Sequence, residues 1–102
     1  MTNREIALDV VCKATRVSRK LIVSRSRLGR IVEARNLYIL LLWQTGTCDE
    51  VISWILNRSR SSVTSSRHAA LRRVDASDVF RNKYLQIKNR YEQQKSLRIS
   101  PA

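Results

Sequence analysis

The residues best suited to chemistry in this chain are arginines interleaved with serines. They fall in two stretches, Ser24-Arg25-Ser26-Arg27-Leu28-Gly29-Arg30 and Arg58-Ser59-Arg60-Ser61-Ser62-Val63-Thr64-Ser65-Ser66. An arginine guanidinium is a planar fork that meets two acceptors at once, which suits phosphate oxygens and the major-groove edge of guanine. A serine hydroxyl adds a short donor to the same targets. Covalent chemistry has much less support. The single His68 has no nucleophile–base arrangement around it, so a Ser-His mechanism has no basis. Glu33 and Glu50 read as cap or ion-pair residues. Cys12, Cys48 and His68 are three scattered ligands where a structural zinc wants four. Two glycines, Gly29 and Gly46, cannot build a phosphate-cradling loop or a dinucleotide fingerprint. The expectation is a protein that is not an enzyme, with no cofactor, no metal and no small-molecule substrate.

The charge agrees with a polyanion partner. The 102 residues carry 20 Lys+Arg against 8 Asp+Glu, a formal charge of +12. Fifteen of the basic residues are Arg and five are Lys. From Arg16 to Arg35 there are seven basic residues and one acid, Glu33. From Arg58 to Arg73 there are five Arg and no acid. Such a field on one small domain attracts nucleic acid. A solvated basic surface and an anionic membrane are the rival uses. A membrane-surface helix would oppose its basic face with Trp, Phe and Leu, whereas here Ser separates the Arg residues. The early acids Glu5 and Asp9 argue against a signal peptide. The longest apolar run, Leu37 to Trp43, is far short of the twenty or so residues of a membrane span. Reduced thiols and a cytoplasmic, nucleoid-associated location are expected.

These arginines need elements to hold them. One Pro, two Gly and few aromatics leave too little turn chemistry for hairpins, so an all-α fold follows. Helical spacing predicts a first helix from Arg4 to about Thr15, with Ile6, Ala7, Val10, Val11 and Ala14 inward and Thr2 or Asn3 as cap. A short helix starts at Ser18, with Leu21 and Ile22 as its apolar side. Ser24 to Arg30 reads as a basic loop. A third helix runs from about Arg30 to Gln44, its stripe being Ile31, Ala34, Leu37, Tyr38, Leu41 and Leu42. Residues 37–43 are apolar all round, so this helix should be central. Gly46 ends it. A fourth helix runs from about Asp49 to Leu56 and closes at Asn57. Ser59 or Ser61 caps a fifth, to about Val74. After a break at Asp75–Asp78, a sixth runs from about Ser77 to Lys95, with Phe80, Tyr84, Ile87 and Tyr91 as a stripe. The expected organisation is one helical domain over 1–96 and a frayed tail over 97–102.

Two short helices with Arg and Ser at the start of the second describe a helix-turn-helix. In that motif the second helix enters the major groove by its N-terminal end. Small Ser53, turn residue Asn57 and apolar Val63 fit the frame. The exposed set is then Arg58, Ser59, Arg60, Ser61, Ser62 and Ser65. Helix pairs of this kind also arise from ordinary bundle packing, and the acid-free arginine run favours DNA over that use.

The same residues resemble the C-terminal DNA-binding domain of the bacterial replication initiator DnaA. The resemblance runs without gaps from about Val17 to Ala70, and more loosely from Ile6 to Tyr91. Leu21 to Leu42 is similar to that domain's short helix, basic loop and long central helix, with Glu33-Ala34-Arg35-Asn36 at its Ala-Arg-Gln-like signature. Glu50, Arg58, Ser61, Ser62 and Val63 match or conservatively replace its second signature. Ser59-Arg60 stand where the family has an Asp-His pair that carries much of its base reading, and Leu56-Asn57 stand at its Gly-Gly turn. The family's nucleotide-binding domain has no counterpart here. The resemblance implies that Arg27, flanked by Arg25 and Arg30, enters the minor groove, that Arg35 and Asn36 contact the DNA backbone, and that Arg58 to Ser62 read the major groove. It implies a compact bundle of about six helices, similar in fold to Trp repressor, and a free-standing relative rather than an initiator.

The expected function is binding of double-stranded DNA, sequence-specific or structure-selective, in replication or transcription control, by a monomer or weak homodimer. The alternatives are a protein-interaction module acting on a replication or recombination protein, and structured-RNA binding. Trp43 and Trp54 could stack on bases, but their apolar surroundings point to core packing. His68 could reach a phosphate. The stripe of the sixth helix points to packing on the core rather than a dimer seam, since it covers under three heptads.

Overall fold

The computed structural model describes residues 2–99, with side chains described through residue 97. It is all-helical: α1 (Asn3–Thr15), α2 (Arg19–Ile22), α3 (Gly29–Gln44), α4 (Asp49–Leu56), α5 (Arg60–Ala76) and α6 (Asp78–Ile99). No strand occurs among the described residues. The expected all-α bundle of about six helices is therefore what forms.

Local chemistry sets most of the ends. Thr2 accepts from the Glu5 amide at 3.2 Å and opens α1. Ser18 does the same for α2 through Leu21. Ser59, one of the two candidate caps, accepts from the Ser62 amide at 3.1 Å. Each oxygen satisfies a helix-start amide that has no intrahelical acceptor. Gly46 has φ 109°, a conformation closed to most L residues, and the chain turns there after α3. The break between α5 and α6 is narrower than expected. Asp75 and Ala76 are helical, and Ser77 alone leaves the helix, its hydroxyl accepting from the Phe80 amide at 3.2 Å. At the other end α6 continues past Lys95 to Ile99, since nothing from Gln93 onward breaks a helix before that point. Residues 97–99 of the expected tail are thus helical, and 100–102 lie outside the described residues.

Helix α3 is the axle of the fold. Leu37, Tyr38, Ile39, Leu40, Leu41 and Leu42 are all buried, as a helix surrounded by neighbours requires. It packs against α1, α2, α4, α5 and α6. The α6 stripe of Phe80, Tyr84, Ile87 and Tyr91 is buried in the same continuous core. Ala14, expected inward, is exposed, because α1 has reached its last turn there.

Trp54 also departs from expectation. It is 69% exposed on α4, not in the core. An eight-residue helix has room for one inward stripe, and Ile52, Ser53 and Leu56 fill it. Residue 54 lies about 100° and 200° round from residues 53 and 52, so it faces out. Trp54→Ala should therefore change the unfolding free energy by no more than about 0.5 kcal/mol. Urea denaturation monitored by circular dichroism checks this.

Candidate nucleic-acid interface

The basic loop between α2 and α3 is built by its own serines. The Ser24 hydroxyl donates to the Leu21 carbonyl and accepts from the Ser26 amide at 3.2 Å. The Ser26 hydroxyl accepts from the Leu28 amide at 3.3 Å. These side-chain turns replace the backbone bonds that a loop lacks. Ser24 and Ser26 are half-buried, while Arg25 and Arg27 between them are exposed. The alternation is that of an extended segment, where successive side chains point to opposite sides. Serine faces the protein and arginine faces water.

Arg35 does not face water with them. It is 5% exposed, on the inner side of α3. Its guanidinium donates to four carbonyls, two in the loop (Ser24 at 2.7 Å, Ser26 at 3.1 Å) and two at the end of α2 (Ile22 at 2.8 Å, Leu21 at 3.4 Å). The expectation that Arg35 touches the DNA backbone is corrected accordingly: the side chain holds the loop that carries Arg25 and Arg27. Burial, and then the neighbouring Arg58 guanidinium, lower its pKa from the usual arginine value. Its neighbour Asn36 is half-buried on α3, and Arg30 is exposed in the first turn.

The α4–α5 corner is as tight as the sequence implies. Asn57 is left-handed at φ 52°. The Arg58 amide reaches back to the Ser53 carbonyl at 2.9 Å, closing α4 in a wrapped-over turn. Ser53 is buried where α4 meets α5, and Val63 is buried facing the core. Three residues, 57–59, separate the two helices.

Arg58 joins this corner to the loop. Its guanidinium donates to the Ser24 carbonyl, the same oxygen that Arg35 uses, and its Nε is buried without a partner. Arg58 was expected among the exposed readers, but it is half-buried and bridges two elements. Around it lie two adjoining hollows. One is lined by Arg25, Arg27, Asn57, Arg58, Ser59 and Ser62. The other takes in Arg27, Val32, Arg58, Ser61, Ser62 and Ser65, with Ser66. No carboxylate lines either hollow. Arg60 is exposed at the first position of α5. Ser59, Ser61, Ser62 and Ser65 are exposed as expected. A comparison with protein-family models and with curated proteins finds no match.

The acid-free run from Arg58 to Arg73 is not one basic face. Arg67 forms a two-pronged pair with Asp49, Nε to Oδ1 at 2.8 Å and a terminal nitrogen to Oδ2 at 2.6 Å. It also lies over the Trp43 ring at 4.5 Å; Trp43, expected in the core, is 37% exposed near the end of α3, with this guanidinium over its ring. Thr64 donates to the same Asp49 carboxylate at 2.8 Å. Arg73 pairs with Glu33 at 3.4 Å and covers the Phe80 ring. Glu33 is thus an ion-pair residue, as expected. Folding brings acids from α3 and α4 to these two arginines, which pair across elements rather than with a neighbour in sequence. His68 is exposed on the same helix. Cys12 and Cys48 are unbonded, and no group of three metal-ligating side chains occurs among the described residues. No described helix is long and apolar enough to cross a membrane.

The Asp49 cluster locks the angle between α4 and α5. The Arg67 hydrogen bonds, with a smaller part from Thr64, hold the Asp49 carboxyl below its ordinary value. A depressed carboxylate pKa contributes stability that is whole above the ordinary carboxylate range and is lost as pH falls through the native value. Asp49→Ala should lose about 2 kcal/mol at neutral pH, the scale of hydrogen bonds to a charged group. The gap between it and the wild type should narrow in acid. Urea titrations of both proteins at pH 7 and pH 3 measure this.

Proposed function

We propose that the chain binds double-stranded DNA, with the start of α5 in the major groove and the Ser24–Leu28 loop against the adjacent minor groove or backbone. The observation that supports this most is the Arg58 bridge. It brings two segments more than thirty residues apart into one surface whose hollows no carboxylate lines, carrying Arg25 and Arg27 with six serine or asparagine side chains, and Arg60 stands exposed at the adjoining start of α5. A helix N-terminus adds unpaired amides and a partial positive charge, both favourable to phosphate. Resemblance to the DnaA C-terminal domain supports the same docking and a role in replication or transcription control. On this reading Arg35 positions the loop and does not contact DNA.

A second reading, a docking module for a protein partner, is favoured by the exposed Trp54 on α4. Competition among duplex DNA, structured RNA and heparin at rising salt separates the readings. With five to eight phosphates neutralised, log affinity for duplex should fall against log salt with a slope of about −5 to −7. Duplex should also displace bound duplex better than heparin of equal charge. Affinity that is unchanged between low and physiological salt would overturn the proposal.

A further inference from the structure

We infer that the cleft between the end of α1 and the outer side of α6 is a second seat for a DNA backbone, so that one molecule holds two duplex segments. This rests on the DNA-binding reading above. The cleft measures about 530 Å³ and is lined by Lys13, Arg16, Asn82, Lys83, Gln86 and Arg90 over a floor that includes Ile87. No carboxylate lines it. Lys13 and Lys83 have acid partners, Asp9 and Glu33, that lie outside the cleft. Arg16 and Arg90 are exposed, and no ion pair engages either among the described residues. The carbonyl end of α1 contributes about half a negative charge, against the two cations, Arg16 and Arg90, that no acid engages. The balance favours an anion.

The spacing favours a polymer over a small anion. Lys83, Gln86 and Arg90 follow one another at three and four residues on one side of α6. Lys83 and Arg90 are therefore about 10 Å apart along the axis. That length covers about three phosphates of one strand at 3.4 Å of rise each. Two side-chain amides in the same lining, Asn82 and Gln86, add donors suited to phosphate oxygens, which set position without reading sequence.

Arg16 ends α1 in the left-handed conformation, at φ 59° and ψ 31°. Glycine is the usual residue there, because any Cβ is crowded. An arginine at that place sets a charge at the mouth of the cleft where the backbone alone would favour none. The seat shares no lining residue with the hollows beside Arg58, and its α1 wall touches neither α4 nor α5, although its α6 wall packs on α5. Two duplexes can thus be held without sharing a lining residue.

The test uses the full chain, one duplex fixed to a surface and a second, labelled duplex in solution. Wild type should retain the labelled duplex. Arg16→Glu with Arg90→Glu should lower that retention by about tenfold or more, while binding of a single duplex, followed by anisotropy at the same salt, falls much less. Arg16→Gly keeps the test independent of folding, since it should melt no lower than wild type and still retain less labelled duplex. If the doubly reversed variant retains it like wild type, the bridge runs through another surface or a protein dimer, and the inference fails. Displacement of the labelled duplex by polyglutamate as readily as by free duplex would make the cleft a seat for acidic protein, and the inference also fails. A wild type that binds one duplex but retains no second overturns this inference alone. A wild type that binds no duplex overturns the DNA-binding reading with it.

Discussion

Arg35→Ala should lower the unfolding free energy by about 2–4 kcal/mol, because hydrogen bonds from one charged donor group to four carbonyls, two at the end of α2 and two in the loop after it, disappear together. In a domain of this size that is a drop in Tm of at least about 8 °C. Lysine should not rescue it. An ammonium on a flexible stem cannot span carbonyls that converge on a planar fork from different directions. Duplex binding should fall as well, since Arg25 and Arg27 ride on the loop that Arg35 holds. The order of the effects is informative. If Arg35→Ala melts like wild type and yet loses DNA, then Arg35 touches DNA directly, as the DnaA resemblance implies, and the inward-facing clamp is not its role. Thermal melts beside anisotropy titrations of wild type, Arg35→Ala and Arg35→Lys settle which holds.

Arg60→Ala and Arg27→Ala should fail in different ways. Arg60 sits at the first residue of α5, the end that reaches base edges in a helix-turn-helix complex. Its fork can meet two acceptors on one guanine, so its loss should cost about 1–3 kcal/mol on the preferred site and relax one base position. Arg27 lies on the loop, between the two hollows. In the minor groove the hydrogen-bonding pattern is degenerate, and arginine senses width and potential instead. Arg27→Ala should weaken binding to many sequences and relax any preference for a narrow A·T-rich flank. Both residues are exposed, so neither variant should shift the melt. Affinities for a selected site, its single-base variants and a random duplex are the measurement. If Arg60→Ala weakens every duplex equally, Arg60 is not a base reader.

Much of the architecture was legible in local pattern. The stripe from Ile31 to Leu42 and the α6 stripe recur at helical spacing, and both are buried as that spacing requires. Caps at Thr2, Ser18 and Ser59 are local bonds between a side chain and an amide three residues on, so sequence carries them. The fates of individual arginines were less legible. Arg35 shares the inner side of α3 with Ile31 and Tyr38, at four and three residues' distance, and that register was a readable sign of burial. Its partners were not readable, because they are carbonyls of α2 and the loop after it, up to fourteen residues away. Arg67 and Arg73 looked free for the same reason. Asp49 and Glu33 reach them only through the packing of α5 against α3 and α4. The exposure of Trp54 follows from its angular position on a two-turn helix, which apolar composition alone does not show. The Arg58 bridge to Ser24 spans thirty-four residues, and no local signal announces it.

The most direct test of the central claim asks which groove α5 enters. A duplex selected from random sequence is lightly methylated at guanine N7, in the major groove, or at adenine N3, in the minor groove. Bound and free fractions are then separated and mapped. If α5 reads the major groove, N7 methylation at one or two guanines should exclude duplex from the bound fraction, and this exclusion should vanish with Arg60→Ala. Adenine N3 methylation should interfere only in the flank, and only while Arg27 is present. Bound duplex that carries guanine N7 methylation as freely as unbound duplex, with wild type and Arg60→Ala alike, would contradict the account.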